Sequence, residues 1–149
     1  MKRLFSILLV AILMVSILPV AGSATETMET IYYDNGSYMT IEVMYSPVRA
    51  TWSITGNKQY TYYNSNSVSQ WKAVLTGTFT YTGSSSSCTA SSVNVTIYDS
   101  SWYVISKSAS KNGNTATGAA TIGEKVNGVT VTKVPVNLTL SCDANGNLS

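Results

Sequence analysis

Side chains that could carry covalent or metal chemistry are scarce in this sequence, because its 149 residues include two cysteines and no histidine. Histidine is the usual general base of hydrolases and the commonest protein ligand of metal ions. Without it, neither a Ser-His-Asp triad nor a His-ligated zinc site can be assembled, and two thiols are too few to hold zinc alone. The sequence therefore predicts no bound metal and no cofactor.

Carboxylates are the remaining catalytic option, since a pair of them can cleave a glycosidic bond. The sequence gives no reason to pair any two of its acids as catalytic partners. A carboxylate in a turn usually accepts hydrogen bonds from nearby backbone. We therefore expect a protein that is not an enzyme, with a small carboxylate-based hydrolase as an alternative. The candidate acids are Asp34, Glu42, Asp99, Glu124 and Asp143.

Tyrosine is the one enriched side chain that indicates recognition, with ten copies beside three tryptophans. Tyr60, Tyr62, Tyr63 and Trp71 cluster in the sequence among Asn and Ser residues. Flat rings edged by polar groups can stack on sugar rings, so we predict these four as binding residues for a glycan. Core packing is the alternative, because one of Tyr62 and Tyr63 must face inward if they lie on a strand.

The N-terminal segment has the order of features found in a secretory signal peptide. Lys2 and Arg3 precede an apolar stretch at residues 4–18, and a run of small residues ends at Ala24. We expect a signal peptide over residues 1–24 and a freely secreted, extracellular domain over residues 25–149. An uncleaved anchor is the alternative, since a membrane-spanning helix needs about 20 apolar residues.

The chain beyond the signal peptide is electrically neutral. The whole sequence has nine Lys and Arg against seven Asp and Glu, and two of those cations, Lys2 and Arg3, belong to the signal segment. The remaining cations are scattered singly, whereas nucleic-acid binding requires a row of them opposite the phosphates. We therefore expect no nucleic-acid partner and, after signal cleavage, no membrane partner.

Cys88 and Cys142 lie on or beside predicted strands of a chain that is expected to reach an oxidising compartment. We therefore predict a disulfide between them. It would close a loop of about 55 residues and stabilise the fold by about 4 kcal/mol through the lost entropy of the unfolded chain. The alternative is a pair of buried, reduced thiols that pack as small hydrophobic side chains.

Apolar and polar residues alternate with period two through most of the remaining chain, which is typical of strands with one buried face. Asn and Gly, which tolerate the positive φ of tight turns, separate the runs. Eight or nine short strands joined in this way predict an all-β fold, a single antiparallel β-sandwich, with a closed β-barrel as the alternative. The turn signals are Asp34-Asn35-Gly36, Gly56-Asn57, Lys111-Asn112-Gly113-Asn114 and Asn127-Gly128.

The last predicted strand changes its apolar face. Apolar residues stand at odd positions over residues 129–131 and at even positions over residues 134–142. One inserted residue restores the inward face, so the pattern predicts a β-bulge near Lys133. Pro135 beside it indicates an edge or bulge position, where no backbone N–H is needed.

Three segments and the signal peptide together resemble small uncharacterised secreted proteins of Gram-positive bacteria. The segments are Tyr-Thr-Tyr-Tyr-Asn at 60–64, Thr-Gly-Thr-Phe-Thr-Tyr at 76–81 and Leu-Thr-Leu-Ser-Cys at 138–142. The resemblance implies a bacterial, extracellular setting and no particular activity.

These patterns together favour a non-enzymatic extracellular β-sandwich that binds an envelope or host component, either a glycan or a cell-envelope protein. The alternative is a structural subunit that assembles by pairing of an edge strand such as residues 129–140.

Overall fold

The computed structural model describes residues 24–46 and 52–149, and the regular elements among them are all β-strands. The predicted signal peptide lies outside the described residues apart from Ala24, which is the first residue of the first strand. Within the described ranges no helix is long and apolar enough to cross a membrane. The strands are β1 (Ala24–Tyr32), β2 (Tyr38–Ser46), β3 (Ser53–Tyr63), β4 (Ser69–Tyr81), β5 (Ser86–Ile97), β6 (Trp102–Asn112), β7 (Thr115–Val126) and β8 (Val129–Ser141).

The strands form two antiparallel sheets in simple sequential order. One sheet has the order β1-β2-β3-β4-β5, and the other has the order β6-β7-β8. The second sheet packs on the first mainly through β3, β4 and β5. The prediction of an all-β sandwich is confirmed, and the alternative of a closed barrel is wrong, because the described strands pair within two separate sheets.

Strand β4 shows why the alternating pattern produces this core. Trp71, Ala73, Leu75 and Phe79 project from one face of β4 and are all 0 % exposed. They meet the inward side chains of the second sheet, and burial of this apolar area is the main stabilising term of such a fold. The buried cluster draws on both sheets, with Ala116, Ile122, Val136, Leu138 and Leu140 from the second.

Three of the four predicted turns are confirmed, at residues 34–36, 113–114 and 127–128. The turn predicted at Gly56-Asn57 is wrong, because both residues lie inside β3. A side chain at position 56 would collide with Leu148, so the glycine serves the close approach of the C-terminal residues. The local sequence could not show this because the contact joins segments far apart in the chain.

The predicted bulge in the last strand is present. Glu124 pairs with Thr132 and Lys125 with Thr130, so Val131 is the extra residue, two positions before the predicted site. Strand β8 is an edge strand of its sheet, which agrees with the position predicted for Pro135. The bulge puts Val129 on the same face of the sheet as Val136, Leu138 and Leu140, although Val129 lies at the end of the strand and is 64 % exposed.

Candidate functional site

Two turns of the first sheet and two strand residues of the second enclose a recess at one end of the sandwich, which we call the recess end. Its volume is about 150 Å³. It opens between the two sheets, so residues of the first sheet form most of its wall and two residues of the second sheet complete it. The lining residues are Asn35, Ser37, Tyr62, Asn64, Ser65, Gln70, Trp102 and Glu124.

Asn35 and Asn64 hold the two turns that form the rim. The Asn64 Oδ1 accepts hydrogen bonds from the backbone N–H groups of Asn66 and Val68, both at 3.0 Å. The Asn35 Oδ1 accepts from the backbone N–H of Ser37 at 3.0 Å and from its hydroxyl at 2.6 Å. Because each oxygen closes its turn, each side-chain NH₂ is left as a donor with a set direction.

A glycine brings the two turns into contact. Gly36 has a φ of +80°, a conformation that side chains rarely adopt. A Cβ at this position would lie 3.3 Å from the Cβ of Ser65, which is tighter than ordinary packing. The rim of the recess therefore depends on the absence of a side chain at residue 36.

Aromatic rings form the floor. The Tyr62 ring stacks on Trp71 with centroids 5.3 Å apart and planes 5° apart, and it lies 5.2 Å from the Trp102 ring. The Tyr62 hydroxyl donates to the Ser37 Oγ at 2.9 Å, and Ser37 continues the chain to Asn35. Outside the lining, the Tyr33 ring lies 5.9 Å from the Tyr62 ring, and burial, followed by Tyr62, raises the pKa of Tyr33 above its ordinary value. The floor is thus a packed, uncharged aromatic layer tied to one rim turn.

Gln70 and Glu124 supply hydrogen-bond acceptors to the recess. Gln70 is the extra residue of a bulge in β4, where Tyr62 pairs with Trp71 and Tyr63 with Ser69. Its side-chain nitrogen donates to the carbonyl of Val68 at 2.9 Å, which leaves its carbonyl oxygen as an acceptor. Glu124 pairs with Trp102 across β6 and β7 and is half-buried.

The structure does not place the four predicted aromatic residues on one surface. Trp71 is 0 % exposed and Tyr62 is 8 % exposed, because they are cross-strand partners on the inner face. Tyr60 is half-buried on that same face, and Tyr63 points to the opposite face of the sheet. These four residues therefore do not form one exposed surface, and of the four only Tyr62 lines the recess.

The outer face of the first sheet carries a different aromatic row, formed by Tyr32, Tyr38 and Tyr63 across β1, β2 and β3. Tyr38 and Tyr63 stack with centroids 4.7 Å apart and planes 12° apart, and Tyr32 lies 5.8 Å from Tyr38. Rings that stack on one another cover each other's faces and present mainly edges and hydroxyls. The row is a weaker surface for sugar stacking than its exposure suggests.

The candidate acids are dispersed. Asp34 lies in the exposed β1–β2 turn, and Glu42, on the outer face, accepts from the Gln59 side chain at 2.6 Å. Asp99 accepts from Ser101, which lowers the pKa of Asp99 below its ordinary value. Among the described residues only Glu124 of these acids lines the recess. No pair of them is placed to act as acid and base there.

The two cysteines lie together at the opposite end of the sandwich, which we call the cysteine end. The backbone N–H of Cys88 donates to the carbonyl of Gly113 at 2.7 Å, and that of Cys142 to the carbonyl of Asn114 at 3.0 Å. Both are buried and unbonded to each other. Burial raises the pKa of both thiols, and at Cys142 the neighbouring Asp143, followed by Cys88, raises the pKa further.

Sequence reasoning missed most of the recess. Asn35 appeared in a turn signal and Glu124 among the acids, but neither pattern indicated that they converge. No pattern indicated a binding role for Asn64 or Gln70. The one usable sign was the presence of an Asn in each of two turns that a sequential antiparallel sheet brings to the same end.

Comparison with known proteins finds no matching family model, no matching curated protein and no matching solved structure.

Proposed function

We propose that this protein is a non-enzymatic, extracellular β-sandwich that binds one sugar ring of an envelope or host glycan in the recess. One observation carries the proposal. Amide groups of two turns converge with the carboxylate of Glu124 over the rings of Tyr62 and Trp102. Sugar hydroxyls both donate and accept, so they match directed NH₂ donors beside amide and carboxylate acceptors.

The size of the recess supports a small ligand unit. Its 150 Å³ is about half of the roughly 300 Å³ at the small end of ligand pockets. A terminal or branching ring of a longer chain suits this volume better than an extended oligosaccharide does. The rest of such a chain would leave the recess toward solvent.

A binding role suits the recess better than catalysis does. Glycoside cleavage uses two carboxyl groups about 5–10 Å apart on either side of the bond. Glu124 is the one acid in the lining, and the other lining side chains are amides, hydroxyls and aromatic rings. These groups can hold a sugar, whereas none of them replaces the missing second carboxyl group.

We also infer that the exported protein carries a disulfide between Cys88 and Cys142. Cys88 lies on β5 of the first sheet and Cys142 directly follows β8 of the second, so the bond would link the sheets. Their backbone N–H groups bind consecutive residues of one turn, which brings the two cysteines to one place. The thiols would give two protons and two electrons to a disulfide oxidant as one S–S bond forms.

A panel of immobilised saccharides with neutral, acidic and amine-bearing rings tests the proposed binding. We expect saturable binding to at least one saccharide and a loss of about tenfold or more in affinity for Asn64→Asp. The aspartate keeps the oxygen that closes the turn, removes the NH₂ donor and adds one negative charge.

Asn66→Asp is the matched control, because it makes the same change of charge on the same turn outside the recess. It should bind as the original protein does. Absence of binding to every saccharide, or equal losses in the two variants, would contradict the proposal.

Self-assembly is a second candidate, favoured by the apolar tip of the β7–β8 hairpin. Val126, Val129 and Val131 are 50 %, 64 % and 55 % exposed there. Strand β8 ends its sheet, so its outer backbone groups could pair with another chain.

Sedimentation velocity over a hundredfold range of concentration tests this self-assembly. We expect a concentration-dependent dimer that Val129→Lys abolishes, and a monomer throughout would exclude assembly.

A further inference from the structure

The recess has a definite electrostatic character. Glu124 is the one charged side chain among its lining residues. The other seven are neutral amides, hydroxyls and aromatic rings, so the lining carries a single negative charge. In a partly enclosed site such a charge is screened less than it would be at an open surface.

The nearest cation in sequence does not neutralise this charge. Lys125 follows Glu124 on β7, and successive side chains of a strand point to opposite faces. The Lys125 Nζ lies 4.2 Å from the centre of the Tyr103 ring, which holds it in a cation–π contact. Tyr103 is itself held by a 2.6 Å hydrogen bond between its hydroxyl and Thr130. Lys125 is therefore engaged away from the recess.

The aromatic floor adds to the same preference. The face of an aromatic ring attracts cations, and this attraction grows when water is excluded. Tyr62 and Trp102 lie beside Glu124 in the lining, with ring centres 5.2 Å apart. Trp71 covers one face of the Tyr62 ring, so the carboxylate supplies most of the attraction for a protonated amine, whereas a carboxylate or sulfate on a ligand would be repelled.

Resting on the proposed function, we propose that the sugar bound in the recess carries a free, protonated amine. The ligand is an amino sugar whose nitrogen is not acylated, with the ammonium group against Glu124 and the ring hydroxyls against the amides of Asn35 and Asn64. Acylation of the nitrogen removes the charge and the main source of preference.

Calorimetric titration with three tetrasaccharides of equal length tests this inference. The probes are a β-1,4-glucosamine tetramer, its fully N-acetylated counterpart and a tetramer of uronic acid. We expect the glucosamine tetramer to bind about tenfold or more tightly than the N-acetylated one, and the uronic acid tetramer not to bind. Glu124→Gln, which keeps the shape of the side chain, should abolish the preference for the free amine.

Asp34→Asn is the matched control, since it removes one negative charge at the same end outside the recess lining. It should keep the preference. Equal affinity for the free and acetylated tetramers, or equal effects of the two variants, would overturn the inference. If binding nevertheless remained sensitive to Asn64→Asp, the proposed function would survive. Failure of all three tetramers and of the saccharide panel to bind would reject the proposed function with it.

Discussion

The two ends of the sandwich differ in how their polar groups are hydrogen-bonded. At the cysteine end, polar groups bind one another within the protein, as when the N–H of Gly83 donates to the carbonyl of Ala144 at 2.8 Å. Leu148 and Gly146 then cover the sheet by packing on Gly56 and the ring of Tyr81. At the recess end, the side-chain oxygens of Asn35 and Asn64 hold the turns, and their NH₂ groups remain as hydrogen-bond donors. The difference separates an end that is closed from the end at which we propose that a ligand binds.

Asp143 at the cysteine end and Asn64 at the recess end show this contrast in two similar turns. The Asp143 carboxylate accepts from the backbone N–H groups of Asn145 and Asn147 and from the Asn147 side chain, at 2.7–2.9 Å. Asn64 closes its turn with the same pattern of two backbone bonds to one oxygen. The aspartate is satisfied by its own loop, whereas the asparagine still has an NH₂ group to donate.

The largest expected effect is at the floor of the recess. Trp71→Ala removes a fully buried ring that stacks on Tyr62, and we expect a loss of about 3–5 kcal/mol in the free energy of unfolding, measured by urea denaturation. Trp52→Ala makes the same change at a side chain that is 67 % exposed and should cost less than about 1 kcal/mol. Similar losses in both variants would mean that the aromatic layer does not support the recess end.

The cysteine pair should affect stability without affecting binding. Oxidation of Cys88 and Cys142 closes a loop of about 55 residues, so the oxidised protein should be about 4 kcal/mol more stable than the Cys88→Ser, Cys142→Ser double variant. Saccharide affinity should be the same in both, because the pair lies at the opposite end from the recess. Two free thiols remaining after air oxidation of the folded protein would contradict the disulfide.

The reduced protein should lose stability at alkaline pH. Burial raises the pKa of both thiols above the ordinary 9.0, so the folded state favours their protonated form. This contribution is complete below pH 9.0 and is lost as the pH rises through the raised pKa values. Thermal unfolding in reductant from pH 8 to pH 11 should show a steeper decline for the original protein than for the double serine variant. Parallel curves would exclude the effect.

Two glycines allow the ends to be compared directly. Gly36→Ala and Gly113→Ala each place a side chain at a positive φ, of +80° and +56°, and each should cost about 1 kcal/mol of unfolding free energy. Only the Cβ at residue 36 meets another turn, through Ser65, whereas the Cβ at residue 113 has nothing within 4 Å. Saccharide affinity should therefore fall for Gly36→Ala alone, and a fall in both variants would contradict the assignment of the rim.

The smallest expected effect is an acid transition at the cysteine end. The Asn147 side chain and backbone lower the pKa of Asp143 below its ordinary value of 3.8, so the contribution is present above that value and is lost as the pH falls through the lowered pKa. Asp143→Ala should flatten the decline of unfolding free energy between pH 5 and pH 2, followed by urea denaturation. An unchanged slope would show that the loop does not contribute.

Local patterns in the sequence were sufficient wherever the structure is set by neighbouring residues. The alternation in β4, the turn signals at Asn35-Gly36 and Asn127-Gly128, and the slip in β8 all report the pleat and the φ preferences of nearby positions. The turn predicted at Gly56-Asn57 is wrong because this glycine is required by the close packing of Leu148, which is far away in the sequence. The same limit applies to the aromatic residues, since alternation requires Tyr62 and Tyr63 to face opposite ways but does not say which one is buried.

Adjacent residues encode period-two burial and turn chemistry, so local patterns were enough to predict antiparallel strands and most of their turns, with a closed barrel still open as an alternative. The packing of the two sheets settled the sandwich, brought Asn35, Asn64, Gln70 and Glu124 to one recess and brought Cys88 and Cys142 to one turn. Those groupings depend on which turns the two sheets bring to the same end and on the packing of one sheet against the other. Both are long-range contacts that no local pattern records.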